Sequence, residues 1–253
     1  MKKNIAILGS TGSIGKTLLS IIDKDKKNFQ IKLLTANKNY NLLIKQAKKF
    51  NVKNIIITDF NSYLKAKNLI KNSTIKIHNN FDNLGRIFHK KIYYTMSSIV
   101  GLDGLLPTIK IIKYTSRIAV ANKEAIICGW NIIRKEIIKY KTIFLPVDSE
   151  HFSIWEILNS KFNVEIDKIY ITASGGPFLN KKRNQIKNAK INEALKHPNW
   201  KMGKKITIDS ATMINKVFEV IETKNIFNIE YKKISILIHP KSYIHAIIKF
   251  KNG

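Results

Sequence analysis

From the amino terminus, short apolar runs alternate with stretches whose apolar positions recur every three to four residues. Asn4 to Leu8 is an apolar run of strand type, Lys16 to Ile22 has helical spacing, and Gln30 to Thr35 is a second apolar run, so the chain opens as a βαβ unit. The alternation continues through Leu42 to Phe50 (helical), Asn54 to Thr58 (strand) and Tyr63 to Ile70 (helical), then through runs at Lys91 to Tyr94, Leu105 to Ile112, Arg117 to Ala121 and Thr142 to Val147. Such regular alternation predicts an α/β fold with a doubly wound parallel sheet. Past Val147 glycine and proline punctuation replaces the alternation. This sets a boundary between a first domain, 1–147, and a mixed α+β domain, 148–253, whose last strands are Ile234 to Ile238 and Ile244 to Phe250. The sequence stops at Gly253 directly after that last apparent strand. Complete proteins pair or cover such an edge, so the chain reads as C-terminally truncated.

Composition changes this picture little. With 253 residues and 44% apolar content there is enough chain for two ordinary cores. A lone cysteine, Cys128, excludes an internal disulfide framework and fits a reducing, cytoplasmic compartment. The apolar run after Met1-Lys2-Lys3 ends within four residues, short of a signal peptide, and nothing approaches the roughly 18 consecutive apolar residues of a membrane helix. The formal charge of +28 is large enough to suggest nucleic acid, an anionic membrane or anionic small molecules. However, the lysines are dispersed among isoleucine and asparagine with no basic tail, which is also what A/T-rich codons produce. A solvated basic surface with no nucleic-acid or membrane partner is therefore expected.

Candidate chemistry lies at the ends of the predicted strands. Gly9, Gly12 and Gly15 follow the first strand and open a helix, where backbone N–H groups can approach a pyrophosphate. Their G-x-x-G-x-x-G spacing departs from the common fingerprint, and an ordinary glycine-rich turn has the same composition. After the second strand stand Ala36, Asn37, Lys38 and Asn39, with no carboxylate to read a ribose 2′-hydroxyl. A lysine flanked by amides suits the 2′-phosphate of NADP, and also an ordinary solvated turn. Asp148 and Glu150 follow the strand ending at Val147; two apart in an extended segment, both carboxylates face one side and can hold a hard divalent cation, or serve a turn or a helix cap. The segment from Lys205 reads as a strand running into a helix capped by Asp209 or Ser210. Ser210, Asn215 and Lys216 there suit a phosphate, and Glu219 falls on the face of Lys216; a capped surface helix with a Lys–Glu pair fits equally. Ser174 lies in a Gly175-Gly176 turn that suits phosphate or is simply tight. His197 and Trp200 fall in a loop suited to a closing lid or a buried indole. His239 and His245, with no third ligand beside them in sequence, read as structural.

In order and spacing, these stations resemble one family across essentially the whole chain. The motifs are GSTGSIG from Gly9, ANKEAI from Ala121, PVDSEH from Pro146, TASGGPF from Thr172, HPNWKMG from His197, KITIDSATMINK from Lys205 and IHPKSYIH from Ile238. The family is 1-deoxy-D-xylulose 5-phosphate reductoisomerase. The resemblance implies a Rossmann-like NADPH-binding domain, a central catalytic domain and, beyond this sequence, a C-terminal helical domain, in an enzyme that works as a homodimer. It implies rearrangement of a small phosphorylated sugar and its reduction by NADPH, with Mg²⁺, Mn²⁺ or Co²⁺ as the metal. By motif, Asp148, Glu150 and Glu219 would hold the metal, and Lys123, Ser149 and Glu150 would meet the oxygenated end of the substrate. Ser174, Ser210, Asn215 and Lys216 would take its phosphate, with His197 and Trp200 closing over it. Thr11, Gly12, Ser13, Ile14, Asn37, Lys38, Asn39, Asn122, Glu124 and Gly203 would line the cofactor. Val217 and Lys241 depart from the family pattern, which usually has Gly and Gln there. The alternatives are an inactive remnant of such an enzyme, or another NADP-dependent oxidoreductase such as a semialdehyde dehydrogenase. The latter needs a catalytic cysteine in the second domain, and Cys128 lies before the boundary.

Overall fold

Strands with apolar residues on both faces need helices on both sides, and the first part of the chain supplies them in alternation. A computed structural model of the protein describes residues 2–160, 164–196 and 203–252. It divides into two compact units, Met1–Leu145 and Pro146–Gly253. The first holds strands β1 (Lys3–Leu8), β2 (Phe29–Ala36), β3 (Asn54–Ile57), β4 (Lys76–His78), β5 (Tyr94–Ser97), β6 (Arg117–Val120) and β7 (Ile143–Pro146). Its helices are α1 (Ser13–Lys24), α2 (Tyr40–Lys49), α3 (Phe60–Leu69), α4 (Leu84–Ile87), α5 (Leu105–Ile112) and α6 (Lys123–Lys139). The sheet runs β4-β3-β2-β1-β5-β6-β7, and every ladder from β4 to β6 is parallel. The core is β-branched and aliphatic: Ile5, Ile7 and Leu8 of β1, Leu33 and Leu34 of β2, and Ile55 to Ile57 of β3 are almost wholly buried.

From β1 the chain winds outward to β4, then returns to place β5 on the other side of β1. The carboxyl ends of β1 and β5 therefore diverge, which is where doubly wound sheets bind their ligands. Several features differ from the periodicity. The apolar run at Lys91 is displaced, since β5 begins at Tyr94 and Ile92 makes only an isolated bridge to Thr115. Strand β4 and helices α4 and α6 have no counterpart among the elements read from apolar spacing.

In the second unit, β8 (Ile166–Ala173) lies between β9 (Ile234–Ile238), parallel to it, and β10 (Ala246–Phe250), antiparallel. Helices α7 (Ser149–Asn159), α8 (Arg183–Lys187), α9 (Ile191–Ala194), α10 (Lys204–Ala211) and α11 (Ile214–Phe227) complete it. Ile154 of α7 packs with Ile169, Ile171, Ile234 and Ala246 of the sheet, and Val220 and Phe227 of α11 close that core.

Two local expectations are corrected here. The segment from Lys205 is helical, not a strand: Gly203 is the N-cap of α10, and Asp209 caps nothing but pairs with Lys205 at 2.8 Å one turn away. The β-branched residues Ile206, Thr207 and Ile208 suggested a strand, but β-propensity yields to context. Within the helix the hydroxyls of Thr207 and Ser210 donate back to the carbonyls of Gly203 and Ile206. Asp148 and Glu150 are likewise not both on one extended strand. Asp148 is the N-cap of α7 and accepts the Glu150 N–H at 3.2 Å, so Glu150 lies in the first helical turn.

Candidate functional site

In the first unit, Gly12 is the N-cap of α1 but makes no side-chain capping bond, so the first-turn N–H groups of the helix have no side-chain acceptor there. The loop before it is held from behind. Ser10 Oγ donates to Gln46 Oε1 at 2.8 Å, Gln46 Nε2 donates to the Ser10 carbonyl at 3.0 Å, and the Gly9 N–H donates to Thr35 Oγ1 at 2.9 Å. Gly15 sets how closely helix and loop approach, because a Cβ there would lie 2.5 Å from the Gly9 carbonyl oxygen and from Ser10 Cα.

A groove of about 870 Å³ opens beside this loop, walled by Thr11, Gly12, Asn37, Thr58 and Ser98 among others. Of the expected cofactor residues it brings together Thr11, Gly12 and Asn37, whose amide donates to Thr58 Oγ1 at 2.8 Å. Ser13 and Ile14 form the exposed start of α1, Lys38 is exposed, and Asn39 caps α2 by accepting the Leu42 N–H. Asp59, at the end of β3, is held below the usual carboxylate range chiefly by hydrogen bonds from Ser62, with the charges of Lys38 and Lys65 adding to it. Asn122 is buried and its amide is spent locally: Oδ1 caps α6 through the Ala125 N–H, while Nδ2 donates to the carbonyls of Ile99 and Gly101. It shapes the loop after β5. Lys123 and Glu124 follow it as the half-buried first residues of α6.

The second unit concentrates charge. One ligand oxygen from each of Asp148, Glu150 and Glu219 lies within 4.8 Å of the other two. At that spacing two like charges repel by about 3 kcal/mol at an effective dielectric constant of about 20, and burial removes the water that would screen them. Glu219 is only 2% exposed. Lys216 supplies partial compensation: its Nζ is 3.2 Å from Glu150 Oε1 and is ion-paired with Glu219 Oε2. His245 Nδ1 approaches Glu150 Oε1 at 3.6 Å, and the Ser149 hydroxyl donates to Glu150 Oε2 at 2.7 Å. An all-oxygen donor set of three converging carboxylates fits a hard divalent cation.

Behind the carboxylates, His151 is buried. Its Nε2 donates to the Glu219 carbonyl at 3.0 Å and lies 3.1 Å from Thr223 Oγ1, and its Nδ1 faces Asp148 Oδ1 at 3.5 Å. One imidazole thus ties the backbone of α11 to the cap of α7, the kind of outer support that orients ligands. Around the cluster lies a cavity of about 390 Å³, and Asp148, Ser149, Glu150, Ser174, Ser210, Asn215, Lys216 and Glu219 all line it. Its far wall is the glycine turn: Gly176 has φ +69, and a Cβ there would lie 2.6 Å from the Ser210 carbonyl oxygen, so turn and helix α10 are in backbone contact. Met213 takes a left-handed conformation, φ +62, to reverse the chain between α10 and α11.

His245 and Ser242 also line this cavity. Read as structural in the sequence, His245 is brought beside Glu150 from far along the chain by the pairing of β10 with β8. His239 does serve a turn, its Nε2 accepting the Tyr243 N–H at 3.0 Å. Val217 is 47% exposed, so its side chain has room where the family usually has Gly. Gly203 is the N-cap of α10. His197 and Trp200 lie outside the described residues.

Fold and site together define a two-unit α/β protein: a dinucleotide-type glycine loop on a doubly wound sheet, followed by a unit with a buried carboxylate cluster suited to a divalent ion. A family model described as 1-deoxy-D-xylulose 5-phosphate reductoisomerase matches residues 5–129, and one for the C-terminal domain of that enzyme matches residues 144–227. The chain belongs to the 1-deoxy-D-xylulose 5-phosphate reductoisomerase family. The reductoisomerase of Pelagibacter ubique is 63% identical over 99% of this chain and 65% of its own length. The structure of the Zymomonas mobilis enzyme in complex with NADPH superposes with a TM-score of 0.89 at 34% identity, over 100% of this chain and 65% of that one. A reductoisomerase structure with NADPH, fosmidomycin and magnesium gives 0.88 at 33%, over 99% and 64%. The chain thus spans just under two thirds of the length of these relatives.

Proposed function

We propose that the protein is an NADPH- and divalent-metal-dependent reductoisomerase that converts 1-deoxy-D-xylulose 5-phosphate to 2-C-methyl-D-erythritol 4-phosphate, with residues 1–147 as the NADPH-binding domain and 148–253 as the catalytic domain. The observation that carries this reading is the convergence of Asp148, Glu150 and Glu219 to within 4.8 Å, in a cavity that also holds the serine, amide and lysine groups suited to a phosphate. The relatives crystallised with NADPH and magnesium support it.

A divalent ion at the carboxylates supplies Lewis acidity toward the substrate's carbonyl and hydroxyl oxygens, and NADPH supplies the hydride. Asp148, Glu150 and Glu219 hold the ion, Mg²⁺, Mn²⁺ or Co²⁺, and His151 fixes their spacing. Ser149 and Lys123 contact the oxygenated end of the substrate, Lys123 offering a positive charge where an oxyanion develops. Ser174, Ser210, Asn215 and Lys216 bind the phosphate, a remote group whose binding energy positions the reacting carbons. His197 and Trp200 close over the substrate and exclude water. Thr11, Gly12, Ser13, Ile14, Asn37, Lys38, Asn39, Asn122, Glu124 and Gly203 serve the cofactor, Asn122 by shaping the loop it anchors. The protein works as a homodimer in the cytoplasm on this reading; the reduced state expected of Cys128 supports the location, and no described helix is long and apolar enough to cross a membrane.

The test is loss of NADPH absorbance when the complete gene product is given 1-deoxy-D-xylulose 5-phosphate and Mg²⁺. Turnover is expected, and Glu150→Gln should abolish it together with metal binding. A folded protein that oxidises no NADPH, or a Glu150→Gln variant with full activity and metal affinity, overturns the reading.

A further inference from the structure

Two of the groups assigned to the phosphate are turned toward the carboxylates. Lys216 Nζ bridges Glu150 Oε1, at 3.2 Å, and Glu219 Oε2, while Asn215 Nδ2 donates to Glu219 Oε1. Lys216 is only 6% exposed, so this is no casual surface pair. The Asn215 Oδ1 atom is buried without a hydrogen-bond partner among the described residues, so the amide is incompletely satisfied in this arrangement.

Charge explains the posture. Three carboxylates packed within 4.8 Å need a counter-charge, and the ammonium of Lys216 bridges two of them. A divalent ion on the same oxygens removes that need, leaves the ammonium facing a like charge, and favours its departure. The same cavity offers a destination, because Ser174 and Ser210 line it with Lys216, and a phosphate beside them has the charge to hold the released ammonium. We propose that Lys216, with Asn215, is a counter-group exchanged between two sites: it neutralises the carboxylates until a divalent ion displaces it, and then pairs with the substrate phosphate. Metal and phosphate therefore bind cooperatively, and the coupling runs through this side chain. The proposal rests on the metal and phosphate assignments above and adds the exchange between them.

The test measures Mn²⁺ binding to the chain by titration calorimetry, with and without inorganic phosphate, for the wild type, Lys216→Met, Lys205→Met and Asp148→Asn. Phosphate should tighten Mn²⁺ binding to the wild type about tenfold, within the usual range of coupling between sites. Lys216→Met should bind Mn²⁺ alone about tenfold more tightly than the wild type and show little remaining coupling. Lys205→Met, which removes an equal charge nearby, should leave both unchanged. Mn²⁺ affinity in Lys216→Met that is unchanged or weaker, or coupling that persists in it, overturns the exchange; an equal gain in Lys205→Met does the same. If Mn²⁺ does not bind, or binds equally well to Asp148→Asn, the metal assignment itself is overturned. Should Lys216→Met fail to fold, the ¹⁵N signal of the wild-type Lys216 ammonium decides: Mg²⁺ should speed its proton exchange with water, and an unmoved signal overturns the proposal.

Discussion

The buried polar side chains of the first unit are neutral, and several pair with one another or with backbone, as in Ser10 with Gln46, Ser97 with Thr108, and Asn122 with the carbonyls of Ile99 and Gly101. In the second unit the buried polar groups include charges: Lys216, Glu219 and Glu222 are all below a tenth exposed. A neutral network is satisfied within the chain, whereas a cluster of converging carboxylates can be completed by a cation from outside. The difference matches what each unit is proposed to hold. A dinucleotide is grasped largely by backbone N–H groups, which need a rigid loop, while a divalent ion is grasped by side-chain charge, which must be concentrated against its own repulsion. The first unit should therefore be sensitive to shape and indifferent to ions, and the second the reverse.

The largest effect should come from shape. Gly15→Ala places a methyl 2.5 Å from two backbone atoms of the loop that α1 packs on, and backbone cannot yield as a flexible side chain does. Destabilisation of about 3 kcal/mol or more is expected, read as a fall in the urea midpoint at constant slope. A variant as stable as the wild type would mean that the loop is not held as tightly as the neutral network implies.

The next effect should come from ions. If the carboxylate cluster is completed by Mg²⁺, adding the ion at a hundredfold excess over its dissociation constant should stabilise the second unit by about 2.7 kcal/mol and leave the first unmoved. Glu219→Gln removes one ligand and should erase the gain. Hydrogen exchange resolves the two units: protection should rise with Mg²⁺ in α7 and α11 and stay constant in β1 to β3. Equal gains in both units would break the contrast.

The same contrast explains what could be read along the chain. Strands buried on both faces announce themselves as apolar runs, and β3, with Ile55 to Ile57, falls where its run is; β9, from Ile234 to Ile238, also falls on its run, although Ile236 to Ile238 are exposed. The glycine loop was equally legible, since loop, strand end and helix start are contiguous. In the second unit, proximity is long-range. Lys216 meets Glu150 across 66 residues, and His245 reaches the cavity only because β10 pairs with β8, so neither contact leaves a periodicity. Local pattern also misled there: Ile206 to Ile208 has strand composition and helical structure, and Asp148 and Glu150 converge through a helix cap, not through alternation on a strand.

The smallest effect tests whether neutrality in the first unit is enforced. The Tyr94 phenol on β5 is pushed up from 10 to about 12 by burial. The folded chain therefore keeps this proton over a pH range in which the unfolded chain loses it. Stability attached to the neutral phenol is fully present below pH 10, declines as pH rises past 10, and is exhausted above about 12. By pH 10.5 the loss from this one group should be just under about 1 kcal/mol. Tyr94→Phe keeps the ring and removes the ionisation, so its urea midpoint should fall less than the wild type's between pH 9 and 10.5. Lysines titrate in both proteins and cancel in the comparison. Identical alkaline slopes would show that the phenol of Tyr94 ionises as freely in the folded unit as in the unfolded chain, and that the neutral interior admits a charge at β5 without cost.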